Sequence, residues 1–152
     1  ETLTHQKVVR GACDALGLDP DARSPPRAVV QHIGTSLVQA MQLAKKSGTP
    51  EAAQLVACEC VVHAETKDHA NWELLGKVAE AATGDLGKAL KAAHEAVEKQ
   101  EDHHLYHTKG WSRELAIEAL GMPAVLPPPE EVKKVETAIG ASRAEQQREA
   151  ML

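Results

Sequence analysis

The chain has 152 residues, enough for one domain with a substantial core. Its apolar residues are mostly Ala, Leu and Val, with no Phe, one Tyr and two Trp, and this composition favours closely packed helices over sheets. The formal net charge of −5, with acidic and basic residues interspersed, argues against a nucleic-acid partner and against a polybasic membrane anchor.

Proline and glycine residues divide the N-terminal half into predicted helices. Residues 2–16 form a short amphipathic helix that ends at Gly17, and residues 18–26 form a Pro-containing loop. The first long helix then covers residues 27–46. Its apolar face consists of Val29, Val30, Ile33, Leu37, Ala40, Met41 and Ala44.

Two further long helices and a C-terminal segment follow. The second long helix extends from the Thr49-Pro50 cap to about residue 82, and the third covers residues 86–120. A helical bundle is therefore expected over residues 1–126, and a Pro-linked helix and tail over 127–152. The last helix is weakly amphipathic, so we expect it to dock loosely, to swap to a neighbour or to fray.

Cysteine usage and hydropathy indicate a cytoplasmic protein. The three cysteines are an odd number without disulfide-framework spacing, and Cys58 and Cys60 point in different directions on a predicted helix. No apolar run reaches transmembrane length and no signal peptide precedes the first helix, so no membrane partner is expected. Because the chain opens at Glu1 without Met, a trimmed leader stays an alternative.

The second and third long helices carry polar residues on their apolar lines. In the third, steps of four and three residues connect Leu90, His94, Val97, Glu101, His104, Thr108, Trp111 and Leu115. In the second, similar steps connect Leu55, Cys58, Val62, Glu65, His69, Trp72, Gly76 and Ala79. Polar groups on a core line cost free energy unless they are paired or bind something.

Short connections make consecutive helices antiparallel neighbours, so these polar residues should meet. If the second turn centres near residue 84 or 85, residue 104 lies level with about residue 65, and residue 101 with about residue 68. If the first turn centres at Gly48, the same antiparallel arrangement places His32 level with Glu65.

Imidazole and carboxylate ligands from facing helices suit Fe, Mn or Zn. Side chains three or four residues apart share a helix face and can chelate together. The sequence therefore predicts a site for one or two Fe, Mn or Zn ions with the main ligands Glu65, His69, Glu101 and His104. The next candidates are Glu98, His32 and His94. We expect His5 at the surface.

The region from residue 27 to 120 resembles the ferritin-like superfamily of di-iron carboxylate bundles, which includes the rubrerythrins. The resemblance is carried by Glu101-x-x-His104, which has the family's Glu-x-x-His form, and by the Ala-rich, acidic segment 65–72. It implies an all-α, up-and-down antiparallel helical bundle of ferritin-like type, with a short N-terminal helix and a C-terminal helix after the Pro-rich spacer. With iron bound and a coordination position open, it implies oxygen or peroxide chemistry by an iron- or manganese-dependent oxidoreductase.

The chain departs from the family pattern in three places. Glu65-x-x-x-His69 is one residue longer than the family spacing, His32 stands where the family's first helix would offer Glu, and the last helix has no Glu-x-x-His. This His-rich, carboxylate-poor set favours a single ion, or a different ion from the family's.

Other interpretations of the polar lines stay open. His69-x-x-x-Glu73 and His103-x-x-x-His107 have the local form of hemerythrin, but Glu73 and His103 fall off the apolar lines. A metal-free interaction or assembly module, in which the polar residues set helix register, is one alternative. A sensor that receives a small organic ligand is another. Three helices also leave a flank that the C-terminal helix or a second subunit must cover, so a homodimer is compatible with the pattern.

Overall fold

Six helices and no strand make up the molecule. The computed structural model describes residues 1–152. In chain order its helices are α1 (Thr2–Ala15), α2 (Pro25–Ser47), α3 (Pro50–Ala81), α4 (Gly84–Ala119), α5 (Pro129–Lys133) and α6 (Thr137–Glu149). None of them combines the length and the apolar composition that crossing a bilayer requires. The predicted all-α helical fold is confirmed, and its ferritin-like character stays a prediction.

Helices α3 and α4 form an antiparallel hairpin with the most extensive packing in the molecule. The turn between them leads into Gly84, whose φ of 66° is a left-handed conformation that glycine adopts without steric cost. The Cys58 thiol lies 3.6 Å from the Thr108 carbonyl oxygen, and Glu65 Oε2 lies 3.8 Å from His104 Nδ1. The register predicted from the turn position is therefore confirmed.

Helix α1 packs against α4. Trp72 of α3 forms a buried cluster with Ala93 and Val97 of α4. Val8 and Ala12, four residues apart on one face of α1, pack against this cluster. The packing brings the first turn of α1 to the middle of α4.

Helix α2 packs against α3 alone among the helices. The Ser24 hydroxyl caps its first turn by accepting a hydrogen bond from the backbone N–H of Arg27. The apolar face is covered only in the C-terminal half, where Leu37 and Met41 are half-buried, whereas residues 25–36 are all exposed. The three long helices therefore do not share one core.

Asp21 links the start of α2 to α1. Its carboxylate lies 3.0 Å from Arg10 Nη1 of α1 and 3.3 Å from Arg27 Nη2 of α2. Exposed pairs of this kind contribute little to stability. They connect the N-terminal end of α2 with α1, while α2 itself makes no contact with α4.

Buried ion pairs anchor the C-terminal segment on α4. Glu114 and Glu130 are fully buried, Arg148 Nη2 lies 3.1 Å from Glu114 Oε2, and Arg113 Nη1 lies 2.6 Å from Glu130 Oε1. The Glu130 carboxyl fits against Gly140, where a Cβ would come within 2.0 Å of Glu130 Cδ. The expectation of a loosely docked or frayed tail is therefore wrong, because the charges of this segment find buried partners.

The C-terminal segment contains two helices where the sequence predicted one. Helix α5 ends at Lys133, the following Lys134 has a left-handed φ of 47°, and α6 begins at Thr137. Such a conformation costs a non-glycine residue about 1–2 kcal/mol. The break allows α5 and α6 to pack on each other and on α4.

Candidate metal centre

A cluster of three metal-ligating side chains lies where α1 packs on the middle of α4. His5 comes from the beginning of α1, and Glu101 and His104 lie three residues apart in α4. Their nearest ligand atoms all lie within 4.8 Å of one another. Residues three apart share a helix face, and the packing of Val8 and Ala12 brings His5 to that face. We call these three residues the His–Glu–His cluster.

The imidazole of His5 is held at both nitrogens. Nδ1 lies 2.6 Å from Glu101 Oε1, and Nε2 lies 2.7 Å from Gln100 Oε1. In the tautomer with the proton on Nε2, that nitrogen donates to Gln100 and the Nδ1 lone pair is directed at Glu101. Histidine ligands of metals are commonly oriented by such a partner on the other nitrogen. In this tautomer Gln100 leaves Nδ1 as the unprotonated nitrogen of His5, on the side of Glu101.

The Glu101 carboxylate is buried with one oxygen unpaired. Its side chain is 2% exposed, and Oε2 has no hydrogen-bond partner. Burial raises the pKa of this carboxyl, and the charges of Asp68 and Glu65 raise it further. The imidazoles of His5 and His104 act in the opposite direction. A buried, unpaired carboxylate oxygen is costly, and a bound cation would satisfy it.

His104 faces carboxylates with both nitrogens. Nδ1 lies 3.8 Å from both Glu65 Oε2 and Glu101 Oε1, and Nε2 lies 2.5 Å from Glu1 Oε2. Its ring centroid is 5.5 Å from that of His5. The hydrogen bond from His104 lowers the pKa of the Glu1 carboxyl, whereas burial raises the pKa of Glu65. His104 Nδ1 is therefore directed into the cluster, and Glu65 is the adjacent additional carboxylate.

Three of the seven residues predicted from the sequence come together here: Glu65, Glu101 and His104. His69 does not join them. Its Nε2 lies 2.8 Å from Asp102 Oδ1, and this hydrogen bond directs the ring away from the cluster. The predicted convergence of four ligands at one height is therefore reduced to three.

The other three predicted residues also lie outside the cluster. His94 Nδ1 is 3.9 Å from Glu98 Oε2, and the His94 ring fills the space next to Gly76, where a Cβ would meet Nε2 at 2.6 Å. His32 is exposed on α2, and α2 does not contact α4. His32 therefore does not reach the cluster on α4, and its predicted level with Glu65 stays a prediction.

The structure contradicts the predicted surface position of His5. It was expected at the surface, but it is 6% exposed and belongs to the cluster. The sequence contained a signal for this burial, because His5, Val8 and Ala12 are spaced by three and four residues, as the apolar stripe of α1 is.

A cleft of about 620 Å³ connects the cluster to solvent. Its lining is mostly polar and includes all three cluster residues, together with Glu65 and Arg27. An ion or a small polar molecule can therefore reach the cluster from outside.

The fold and the cluster together define an all-helical protein with an interhelical His–Glu–His group. No protein-family model, no curated protein and no solved structure matches the chain. The resemblance to the ferritin-like superfamily thus rests on the sequence motifs alone and stays a prediction.

Proposed function

We propose that this protein binds one divalent transition-metal ion between α1 and α4. The ligands are His5 Nδ1, a carboxylate oxygen of Glu101 and His104 Nδ1. The main support is the buried, unpaired Glu101 Oε2 beside two imidazoles, in a group whose ligand atoms lie within 4.8 Å of one another. Buried polar atoms in native proteins are normally paired with protein groups, water or ions.

The interatomic distances are compatible with a single ion. Metal–nitrogen and metal–oxygen bonds of about 2.0–2.2 Å hold neighbouring ligand atoms roughly 3–3.5 Å apart. His104 Nδ1 and Glu101 Oε1 lie 3.8 Å apart, and His5 Nδ1 and Glu101 Oε1 lie 2.6 Å apart. The ion would therefore replace the direct His5–Glu101 contact, and the two side chains would move apart by about 0.5–1 Å.

Two imidazoles and one carboxylate suit Fe(II), Mn(II) or Zn(II). We place iron first, because this ligand set with open positions is typical of mononuclear iron sites that react with oxygen. Bound iron would supply oxygen or peroxide chemistry, and the protein would then be an iron-dependent oxidoreductase. Glu65, near His104, offers a fourth ligand, and its participation would favour closed, tetrahedral Zn(II).

The surrounding residues support one ion rather than a dinuclear centre. A di-iron centre needs a second set of ligands beside the first. His69 is paired with Asp102, and His94 lies beside Glu98. Neither pair is part of the group around Glu101.

Elemental analysis of protein purified without chelator or metal-affinity resin tests this function. We expect one equivalent of Fe, Mn or Zn per chain, either as purified or after addition of the metal. His5→Ala and Glu101→Gln should lose it. His69→Ala is the matched control and should retain the ion, because His69 pairs with Asp102 outside the cluster. Circular dichroism establishes that each variant keeps its helix content.

Two results would contradict the His–Glu–His site. One is wild-type protein that takes up none of the three metals. The other is His5→Ala protein that binds as much as wild type. Loss of the ion in His69→Ala but not in His5→Ala would instead support the four-ligand site predicted from the sequence.

A metal-free interaction or assembly module is the second candidate. It is favoured by the hydrogen bond between His5 and Gln100 and by the close contact between His5 and Glu101, because a paired polar cluster can set helix register. In that case Glu101→Gln would disturb folding or association without changing the metal content, so the same variant separates the two functions.

A further inference from the structure

The molecule exposes more surface than a compact chain of its mass. Its accessible surface is 10051 Å². A compact monomer of 16.3 kDa exposes about 7,500 Å². The excess of about 2,500 Å² agrees with the small core, since only 18 of the 152 residues are buried.

Helix α2 contributes much of the uncovered apolar surface. None of its 23 residues is buried. Val30 and Ile33 are 51% and 47% exposed, and Val29 beside them is also exposed. Val30 and Ile33 lie on the same line of α2 as the half-buried Leu37 and Met41, which follow three or four residues further along. We call Val29, Val30 and Ile33 the α2 stripe.

Apart from its Ser24 cap, the first half of α2 has few features that keep a helix stable without packing. Residues 25–36 are all exposed, and isolated helices of this length are marginal in water. The three β-branched residues of the α2 stripe have only moderate helix propensity. Gly34 costs about 1 kcal/mol relative to alanine. This half of the helix therefore needs a partner that covers the stripe.

The charge distribution indicates what that partner is. Helix α2 carries Arg27, Lys45 and Lys46 and no acidic residue, although the chain as a whole has a net charge of −5. Its neighbour α3 carries six acidic residues and two lysines. Arg27, beside the α2 stripe, already pairs with Asp21, whereas Lys45 and Lys46 in the last turn of α2 have no acidic partner. A twofold arrangement can place these two lysines against the partner's acidic α3. A second copy of the chain therefore offers an apolar surface for the α2 stripe and acidic residues for the last turn of α2.

We propose that a second copy of this chain covers the α2 stripe, so that the protein is a twofold-symmetric homodimer. Obligate homodimers bury about 2,000–5,000 Å² in total. If each chain covers half of its excess surface, the dimer buries about 2,500 Å². The area that a stable dimer needs is thus present without any rearrangement of the other helices.

Sedimentation velocity of the full chain over a wide range of micromolar concentrations tests the dimer. A chelator is present throughout, so that an ion cannot bridge two chains. Wild type should sediment as a dimer that dissociates on dilution. Ile33→Glu should raise the dissociation constant about a hundredfold or more, because it places an unpaired charge in an apolar contact. Gln31→Glu adds the same charge on the polar face of the same helical turn and should leave the constant unchanged.

Hydrogen exchange provides a second measurement that does not depend on the variants. The backbone amides of residues 25–36 should exchange more slowly as the concentration of wild-type protein increases. The homodimer would be overturned if wild type is exclusively monomeric, or if Ile33→Glu leaves dimerisation unchanged. It would also be overturned if Gln31→Glu weakens dimerisation as much as Ile33→Glu, or if the amide protection of residues 25–36 does not depend on concentration. Ile33 is exposed in the single chain, so dilute Ile33→Glu protein should keep the helix content of the monomer.

Discussion

Replacement of Arg148 by methionine tests whether buried ion pairs hold the C-terminal helices on α4. Arg148 Nη2 donates to both carboxylate oxygens of Glu114, at 3.2 and 3.1 Å, and the Arg148 side chain is 9% exposed. Methionine retains much of the aliphatic stem but removes the charge. The fully buried Glu114 carboxylate would then have one charged partner fewer.

The expected loss of stability is about 3 kcal/mol, since removal of one partner of a buried ion pair costs about 3–5 kcal/mol. We take the lower end because Glu114 retains two donors. Arg113 Nε lies 2.8 Å from one oxygen, and the Val125 backbone N–H donates to the other at 2.8 Å. For a chain of this length the loss corresponds to a fall in Tm of about 6–12 °C.

Urea unfolding followed by circular dichroism measures this loss. Arg143→Met is the matched control, because Arg143 is an exposed arginine on the same helix and its replacement should change the free energy of unfolding by less than about 0.5 kcal/mol. Adding Glu114→Gln to Arg148→Met removes both charges, and a double-mutant cycle should show a coupling of about 2 kcal/mol. If Arg148→Met costs no more than Arg143→Met, the buried pair does not hold the segment and the reasoning is refuted.

Two further substitutions and one chemical modification have definite expected results. Gly140→Ala should destabilise the protein by about 1–3 kcal/mol, because its Cβ would lie 2.0 Å from Glu130 Cδ. Gly11→Ala, whose Cβ would meet nothing within 4 Å, should stabilise α1 by about 0.5–1 kcal/mol. Thermal melts in which the two substitutions shift Tm in the same direction would contradict this packing. Burial, and then the charge of Glu59, raise the pKa of the Cys58 thiol above its ordinary value of 9.0, so less of the reactive thiolate is present near neutral pH. Iodoacetamide should therefore alkylate Cys58 more slowly in the folded protein than in urea, with a rate still increasing above pH 9.0, and peptide mass spectrometry showing equal rates would refute the shift.

The helix boundaries and the register of the α3–α4 hairpin were predictable because their determinants are local. Thr49 and Pro50 begin α3, and the glycine turn at Gly84 separates α3 from α4. Once the turn position is known, the antiparallel arrangement places Glu65 opposite His104 without further information.

The tertiary partners of α1 and α2 were not predictable from the same patterns. An apolar stripe indicates that a helix packs, but it does not identify the surface that receives it. His5 was therefore assigned to the surface, although its helix docks on α4 and buries it. Conversely, the sequence identified an apolar face on α2, but the first half of that face is exposed.

The buried charges of the C-terminal segment escaped the sequence pattern for a different reason. Glu114 lies next to Leu115 but off the apolar line, where a charged residue normally indicates a solvent-exposed face. Its burial depends on Arg148, which is 34 residues away and belongs to another helix. Spacing within a helix contains no information about such a pairing.

The length of α4 separates the two ends of the molecule. Its 36 residues span about 54 Å, with α1 docked near Ala93 and Val97 and with α5 and α6 docked around Glu114. Segments with few shared contacts open as separate cooperative units. Opening of α1 alone would withdraw His5 from Glu101 and leave the C-terminal ion pairs intact. If the cluster binds an ion as proposed, the apparent affinity for that ion would scale with the fraction of molecules in which α1 is docked. The N-terminal helix would then set the ion occupancy without affecting the rest of the fold.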